Sequence, residues 1–99
     1  MKLTWTNEAL NRLIEIEDYI SEDSPQRALN FVNRIISKAE SLKKHPKKGR
    51  IVPEFSIPDF REMIYKKYRI VYIIKQDCIE ILTVFESHRL IRIDELIKE

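Results

Sequence analysis

The sequence contains few residues that break or cross-link a polypeptide chain. Its 99 residues include one glycine, four prolines and one cysteine. A single glycine excludes collagen-like and low-complexity architectures. The lone cysteine, Cys78, cannot form an internal disulfide, and with only two histidines beside it the sequence has no set of ligands for an ordinary structural zinc site. No cofactor motif is present either, so we expect neither a metal nor an organic cofactor.

Long apolar stretches are also absent. The opening residues, MKLTWTNE, lack the apolar core of a signal peptide. No uninterrupted apolar run approaches the roughly 18 residues that span a membrane. Without an export signal or a disulfide, the cytoplasm is the expected compartment. Hydrophobic residues make up 43% of the chain, enough for a core, so we expect one globular domain over residues 1–99.

Charge is distributed unevenly along the chain. The net charge is +2, but residues 1–23 carry −4, residues 24–50 carry +7 and the remainder carries −1. The densest group of cations is the segment KKHPKKGR at residues 43–50. Such a segment can attract phosphates or an acidic partner. It can equally be the solvated end of a helix, whose lysines complement the helix dipole.

Hydrophobic periodicity predicts a strand and two helices in the first half of the chain. The first residues alternate between polar and apolar, which is typical of a short strand. Apolar residues at helical spacing follow to about residue 20, and Thr6 or Asn7 can cap this helix. A second helix is expected to begin at Ser24-Pro25, a serine cap followed by proline, and to end at about residue 44. Because the link is short, we expect an antiparallel helix hairpin.

The second half of the chain is predicted to be mainly β-structure. Residues 49–59 contain two prolines and indicate an extended loop. Strands are expected at about residues 60–65, 68–75 and 78–86, joined by short turns into an antiparallel meander. A helix-prone tail begins at about residue 90. The predicted fold class is therefore α+β: a strand, an antiparallel helix hairpin, a three-stranded antiparallel meander and a C-terminal tail.

The faces of this meander follow from parity if each turn contains two residues. One face, which includes Phe85, is expected to pack on the helices. Four apolar residues are expected to form the centre of the other face: Val71, Ile73, Leu82 and Val84. An apolar centre inside a charged rim predicts a surface for a protein partner, unless the C-terminal tail folds over it.

Arg69 is the cation expected on that second face. Parity places it beside Ile64 and diagonally near Glu86. Two interpretations are open at this point: Arg69 is a cation that faces a phosphate, or it is one half of a cross-strand ion pair.

Four short motifs carry a family resemblance: GRIVPEF at residues 49–55, FRE at 60–62, YRIVY at 68–72 and ILTVF at 81–85. In this order and spacing they resemble the RelE/ParE toxins of type II toxin–antitoxin systems, and the resemblance spans nearly the whole chain. It implies a cytoplasmic growth inhibitor that is neutralised by an antitoxin encoded beside it. In this family an extended or helical segment of the antitoxin typically wraps the toxin.

The family includes two activities. RelE-like members cleave mRNA in the ribosome with basic side chains on the open sheet face, whereas ParE-like members lack that set and poison DNA gyrase. Where the nucleases offer lysines on the strand before Arg69, this sequence has Phe60 and Glu62. A carboxylate at that place repels phosphate and cannot stabilise the charge of a phosphoryl transition state. The resemblance therefore favours a ParE-like toxin that binds gyrase and is not itself an enzyme.

The alternative is a ribosome-dependent mRNA endonuclease. Glu54, Arg69 and His88 resemble the set used by YoeB-like nucleases, in which they would be the general base, the phosphate clamp and the general acid. Arg89 matches a common arginine of the family. Each residue also has a simpler interpretation, as an exposed loop carboxylate for Glu54 and as a surface side chain for His88. A third hypothesis is a toxin that still binds its antitoxin but has lost its toxicity.

Overall fold

The computed structural model describes residues 1–87. His88, Arg89 and the predicted tail lie outside the described residues. Eight elements follow one another within residues 1–87: β1 (Lys2–Trp5), α1 (Asn7–Asp23), α2 (Pro25–Ser41), a 3-10 turn (Pro46–Lys48), β2 (Arg50–Ile51), β3 (Phe60–Tyr65), β4 (Tyr68–Ile74) and β5 (Cys78–Glu86).

The strands form one five-stranded sheet in the order β1-β5-β4-β3-β2. β1 is parallel to β5, and every other pair is antiparallel. The α+β class, the helix hairpin and the meander are thus confirmed. The predicted loop over residues 49–59 is wrong at its start, because Arg50 and Ile51 form β2 and pair with Glu62 and Arg61. A strand of two residues is too short to show a period-2 pattern.

The caps explain where the helices begin. The Thr6 hydroxyl accepts a hydrogen bond from the amide of Ala9 at 3.0 Å, and the Ser24 hydroxyl accepts one from the amide of Arg27 at 3.2 Å. Ser24 also ends α1, so a single residue links the two helices. Each predicted helix end differs from the observed one by three residues. Within residues 1–87, neither helix is long and apolar enough to cross a membrane.

The main core lies between the helix hairpin and one face of the sheet. Its buried members come from both helices, the helix end and the three central strands: Ala9, Leu13, Phe31, Ile35, Ala39, Leu42, Met63, Tyr68, Ile70, Tyr72, Ile79, Ile81 and Val84. The sheet residues in this core, with the exception of Val84, are ones that strand parity assigns to the face under the helices.

A β-bulge interrupts the ladder between β4 and β5. Val71 lies opposite Thr83 and Tyr72 lies opposite Ile81, which leaves Leu82 as an extra residue on β5. An extra residue shifts the alternation of side chains, so the remainder of the strand presents the opposite residues to each face.

This bulge makes two parity-based predictions wrong. Val84 is fully buried in the main core beneath the helices, and is not on the second face. Phe85, which parity places under the helices, packs on the second face. Counting residues outward from a turn assumes an unbroken ladder, and nothing local in the segment ILTVF announces the extra residue.

Thr6 holds the bulge in place. Its hydroxyl donates to the carbonyl of Leu82 at 2.9 Å, and its amide donates to the carbonyl of Ile81 at 3.0 Å. The same hydroxyl caps α1, so one side chain joins the start of the helix to the irregular point of β5. The carbonyl freed by the bulge is thereby hydrogen-bonded.

Replacing Thr6 by valine should lower the free energy of unfolding by about 1–3 kcal/mol, because the change removes the helix cap and leaves a carbonyl of the bulge without its donor. Urea denaturation followed by circular dichroism measures this loss. Thr6→Ser should retain most of the stability. Thr4→Val makes the same change at an exposed position of β1 and should shift stability by no more than about 0.5 kcal/mol. Equal losses in Thr4→Val and Thr6→Val would contradict this role of Thr6.

Candidate functional site

Arg69 lies at the centre of the second sheet face, where two carboxylates bind its guanidinium. Its Nε donates to Oε1 of Glu62 at 2.6 Å. Its Nη1 and Nη2 donate to the two oxygens of Glu54, both at 2.7 Å. The Arg69 side chain is only 5% exposed. The sequence left two interpretations of Arg69 open, a cation that faces a phosphate and one half of an ion pair. The observed geometry is that of an ion pair.

Glu62 joins this pair to a second arginine. Its side chain is fully buried, and its Oε2 accepts a hydrogen bond from Nε of Arg50 at 2.7 Å and lies 2.7 Å from Nη2 of the same guanidinium. Arg50, Glu62, Arg69 and Glu54 therefore form an ionic chain in which the sign of the charge alternates. This ionic chain crosses β2, β3 and β4 and ends in the loop that follows β2.

Strand register brings these residues together. Arg50 lies directly opposite Glu62 in the pair of β2 and β3. Arg69 lies opposite Ile64, as predicted, so Glu62 is its diagonal neighbour on the same face. The prediction that Glu86 is a diagonal neighbour of Arg69 is wrong, because Glu86 lies opposite Tyr68 beyond the bulge.

The surroundings of Arg69 stabilise its positive charge. The hydrogen bonds that Arg69 donates to Glu54 are the largest influence and raise the pKa of Arg69 above its usual value, although burial opposes the rise. The guanidinium carbon also lies 5.0 Å from the centre of the Phe85 ring, at cation–π distance. Arg69 is thus a permanent cation held by carboxylates and an aromatic ring.

This arrangement limits what the predicted nuclease residues can do. The structure brings Glu54 and Arg69 together, whereas His88 and Arg89 lie outside the described residues. A phosphate clamp uses the planar donors of a guanidinium, and in Arg69 carboxylates occupy donors on all three nitrogens. Glu54 is an exposed loop residue, but both of its carboxylate oxygens accept from Arg69 and its side chain is only 18% exposed.

An apolar cluster covers the rest of this face. Val52 and Phe55 come from the loop after β2 and pack against Phe60, Val71, Leu82 and Phe85, with Ile73 at the margin. Val71 is fully buried and Leu82 is 7% exposed, so the expected open centre is covered, in part by this loop. A partner-binding role for Val71, Ile73 and Leu82 stays a prediction. Val84 belongs to the opposite face.

Gly49 allows the chain to enter β2. A Cβ atom there would lie 2.5 Å from the carbonyl oxygen of Glu62 and 2.7 Å from the Tyr72 hydroxyl, so only glycine fits. Its amide donates to the Tyr72 hydroxyl at 3.0 Å, and that hydroxyl donates to the carbonyl of Pro46 at 2.7 Å. The close approach fixes the position of Arg50, the next residue and the first of the ionic chain.

The basic segment at residues 43–50 does not act as one unit. Lys43 pairs with Glu40 at 2.9 Å, and Arg50 belongs to the ionic chain. Lys44, Lys47 and Lys48 are exposed beyond the end of α2. Because α2 ends at Ser41, these three lysines lie past the helix, whereas the interpretation as a helix end expects the helix to continue to about residue 44.

Comparisons with known proteins identify the family of this chain. A family model described as "ParE toxin of type II toxin-antitoxin system, parDE" matches residues 3–91. The chain belongs to the ParE toxin family. It is therefore a toxin of a type II toxin–antitoxin system, as the RelE/ParE resemblance of the sequence predicts.

Individual relatives agree with this ParE-family membership. "Putative toxin Y4kP" of Sinorhizobium fredii is 38% identical over 90 residues, covering 89% of this chain and 90% of the relative. "Toxin RelE2" of Caulobacter vibrioides is 30% identical over 90 residues, covering 90% and 98%. A chain of the solved "Chromosomal ParDE TA system from P. aeruginosa" superposes with a TM-score of 0.72 at 26% identity, covering 87% of this chain and 95% of that one.

Sequence reasoning missed three features of the site in this ParE-family toxin. These are Arg50 as the second partner of Glu62, Glu62 as the partner of Arg69, and Val52 and Phe55 as the residues that cover the sheet. Glu62 as the partner of Arg69 could have been found, because the two-residue turn after Tyr65 already fixes the register of β3 and β4. The loop contacts could not, since proline-containing irregular chain has no period to interpret.

Glu62→Gln should destabilise this ParE-family toxin by about 3–5 kcal/mol, because it removes the negative charge between two guanidinium groups that remain in place. Urea denaturation measures the change. Glu80→Gln is the matched control: Glu80 of β5 pairs at 3.1 Å with Lys75, the residue after β4, but both side chains are partly exposed. That variant should lose no more than about 1 kcal/mol. Similar losses in the two variants would show that the ionic chain does not stabilise the fold.

Tyr72 should make the stability sensitive to alkaline pH. Burial raises the pKa of Tyr72 above its value in the unfolded chain, about 10. Its contribution is therefore complete below about pH 10 and is lost as the pH rises toward the folded-state pKa. Tyr72→Phe should be less stable near pH 8, since it loses two hydrogen bonds, but should decline less between about pH 9 and 11. Parallel declines in denaturation measurements across that range would contradict the assignment.

Proposed function

We propose that this ParE-family toxin inhibits growth by binding DNA gyrase, and that it has no catalytic chemistry of its own. The observation that supports this proposal is the ionic chain. Arg69, the cation best placed to hold a phosphate on the second face, is 5% exposed and bound by Glu54 and Glu62. A surface neutralised in this way favours a protein target over the phosphate backbone of RNA.

The position of Glu62 adds to this support. In a ribosome-dependent nuclease, the strand before Arg69 supplies cations to the open face. In this chain the strand supplies a fully buried carboxylate, which Arg50 and Arg69 both bind. To present Arg69 to a phosphate, the protein would have to leave the charge of Glu62 buried with one partner fewer, which costs several kcal/mol.

We also propose that an antitoxin neutralises the toxin. The family description and the ParDE system of P. aeruginosa both pair a toxin with such a partner. Of the apolar residues predicted to contact it, Ile73 is the accessible one, since Val71 and Leu82 are buried. Ile64, 45% exposed on β3, extends the accessible apolar surface.

A second candidate function is the ribosome-dependent mRNA endonuclease. Two observations favour it: Glu54 and Arg69 are in direct contact, and one relative carries the name RelE2. In this alternative, substrate binding would have to open the bidentate pair between those two side chains. Glu54 could then accept a proton, and Arg69 could donate hydrogen bonds to a phosphate.

The test compares the two targets in parallel. Purified protein is added to a DNA gyrase supercoiling reaction, which is scored for lost activity and for trapped cleaved DNA, and to ribosomes translating a defined mRNA. We expect gyrase inhibition at near-stoichiometric protein and an intact mRNA. Addition of the antitoxin, encoded by the neighbouring gene, should restore supercoiling and serves as the matched control.

Cleaved mRNA with unaffected gyrase would contradict the proposal and transfer the function to the endonuclease. Glu54→Gln combined with His88→Ala then tests the residues, and cleavage that persists in this variant would exclude them. Arg69→Ala is unsuitable because it leaves Glu62 and Glu54 without their partner and is expected to unfold the protein. Normal growth on induction of the unpartnered toxin, with both reactions unaffected, would indicate a chain that has lost its toxicity.

A further inference from the structure

The cations of the described residues divide into two groups. Several are paired with carboxylates, including Arg12, Lys43, Arg50 and Lys75. Within residues 1–87, Arg34, Lys66 and Lys67 line one cleft and have no carboxylate within salt-bridge distance, and Lys38 lies beside it on the Tyr65 ring. Lys44, Lys47 and Lys48, outside the cleft, also lack such a carboxylate among the described residues. The charge of the cations at the cleft is available to an external anion.

The cleft runs between α2 and the turn that joins β3 to β4. It consists of two adjoining hollows of about 550 and 610 Å³, which share Asn30, Tyr65 and Lys66. Each hollow lies within the range of volumes typical of small-ligand sites. The cleft is on the helix side of the sheet, whereas the ionic chain is on the other side.

Aromatic rings hold the lysines at the cleft. Nζ of Lys38 and Nζ of Lys66 lie 5.5 and 5.7 Å from the centre of the Tyr65 ring, and Nζ of Lys67 lies 5.8 Å from the Tyr68 ring. Phe31 contacts both tyrosine rings, with centroids 5.8 and 5.1 Å apart. Cation–π contacts orient an ammonium group without neutralising it, so the positive charge is in place before a ligand arrives.

Acidic groups are few at the α2 side of this cleft, whereas the end near Tyr19 adjoins Glu15 and Glu86. No acidic residue occurs between Ser24 and Ala39, a stretch that includes all of α2 lining the cleft. Among the described residues, Asp23 is the one carboxylate in the lining, and it pairs loosely with Arg27 at 3.6 Å. Both side chains of that pair are mostly exposed, which makes the pair weak.

The neutral lining adds groups that recognise bases. The amides of Asn30 and Asn33 and the hydroxyl of Ser37 can donate and accept hydrogen bonds. Tyr19, at one end of the cleft, is 66% exposed and presents an aromatic ring to solvent. A ring of this kind can stack on any nucleobase.

We propose that this cleft binds single-stranded nucleic acid, with Arg34, Lys38 and Lys66 on successive phosphates and Tyr19 stacked on a base. The cations and carboxamides would also serve an acidic peptide, but the exposed ring of Tyr19 offers a stacking surface that suits a nucleobase and favours nucleic acid. The site goes beyond the proposed function, because it lies on the helix side of the sheet and shares no residue with the ionic chain that supports that function.

The experiment measures the affinity of the purified toxin for a fluorescein-labelled twelve-residue oligothymidylate by fluorescence anisotropy at several salt concentrations. If three or four phosphates are neutralised, the plot of log affinity against log salt should have a slope of about −2 to −3. Arg34→Glu with Lys66→Glu should weaken binding at least tenfold. Tyr19→Ala should weaken it about fivefold or more through lost stacking.

Lys44→Glu with Lys47→Glu is the matched control, because it makes the same change of net charge at exposed residues outside the cleft. This variant should bind within about threefold of the unchanged protein, and thermal melting of all variants confirms that they fold. Equal losses in the two double variants would overturn the proposal, as would no measurable binding. Tighter binding of polyglutamate would assign the cleft to an acidic peptide, and tighter binding of a 12-bp duplex would overturn the single-stranded assignment.

Discussion

The second face of the sheet is organised by the charge of one buried residue, Glu62. Burying a carboxylate costs several kcal/mol unless its oxygens are paired and hydrogen-bonded. Arg50 and Arg69 provide that pairing, one from each neighbouring strand. A guanidinium has more donors than one carboxylate oxygen can accept, so Arg69 also binds Glu54 and ties the loop to the sheet. The loop then brings Val52 over the apolar centre.

This dependence connects stability with function. A cation that acts on RNA must release its protein partners when the substrate arrives. In this ParE-family toxin, release of Arg69 would expose the charge of Glu62 inside the sheet and detach the loop that carries Glu54. Two residues of the nuclease set, Glu54 and Arg69, are thus present, but the fold requires them to stay paired with each other. This requirement disfavours a catalytic use of either side chain. Position in an ionic network, more than the presence of a residue type, decides what an arginine can do.

The sequence is sufficient for the elements but not for every contact. Periodicity and caps locate both helices and every described strand except β2, because each of these is long enough to repeat its pattern. The bulge at Leu82 depends on the Thr6 hydroxyl, 76 residues away, and such a long-range contact leaves no local signal. One extra residue then moves Val84 to the core and Phe85 to the site. The Arg69–Glu62 pair was accessible, since it requires only the register beside a two-residue turn.

Cations have different partners on the two sides of the sheet. On the side of Glu62, every cation of the ionic chain is bound by a carboxylate, and apolar side chains cover the centre. On the helix side, Lys38 and Lys66 rest on the face of Tyr65 without a salt bridge to a described carboxylate. A ring orients an ammonium group but leaves its field intact. The sheet therefore stabilises its fold through paired charges on one side, and on the other side several cations without a described carboxylate partner could attract an anionic ligand.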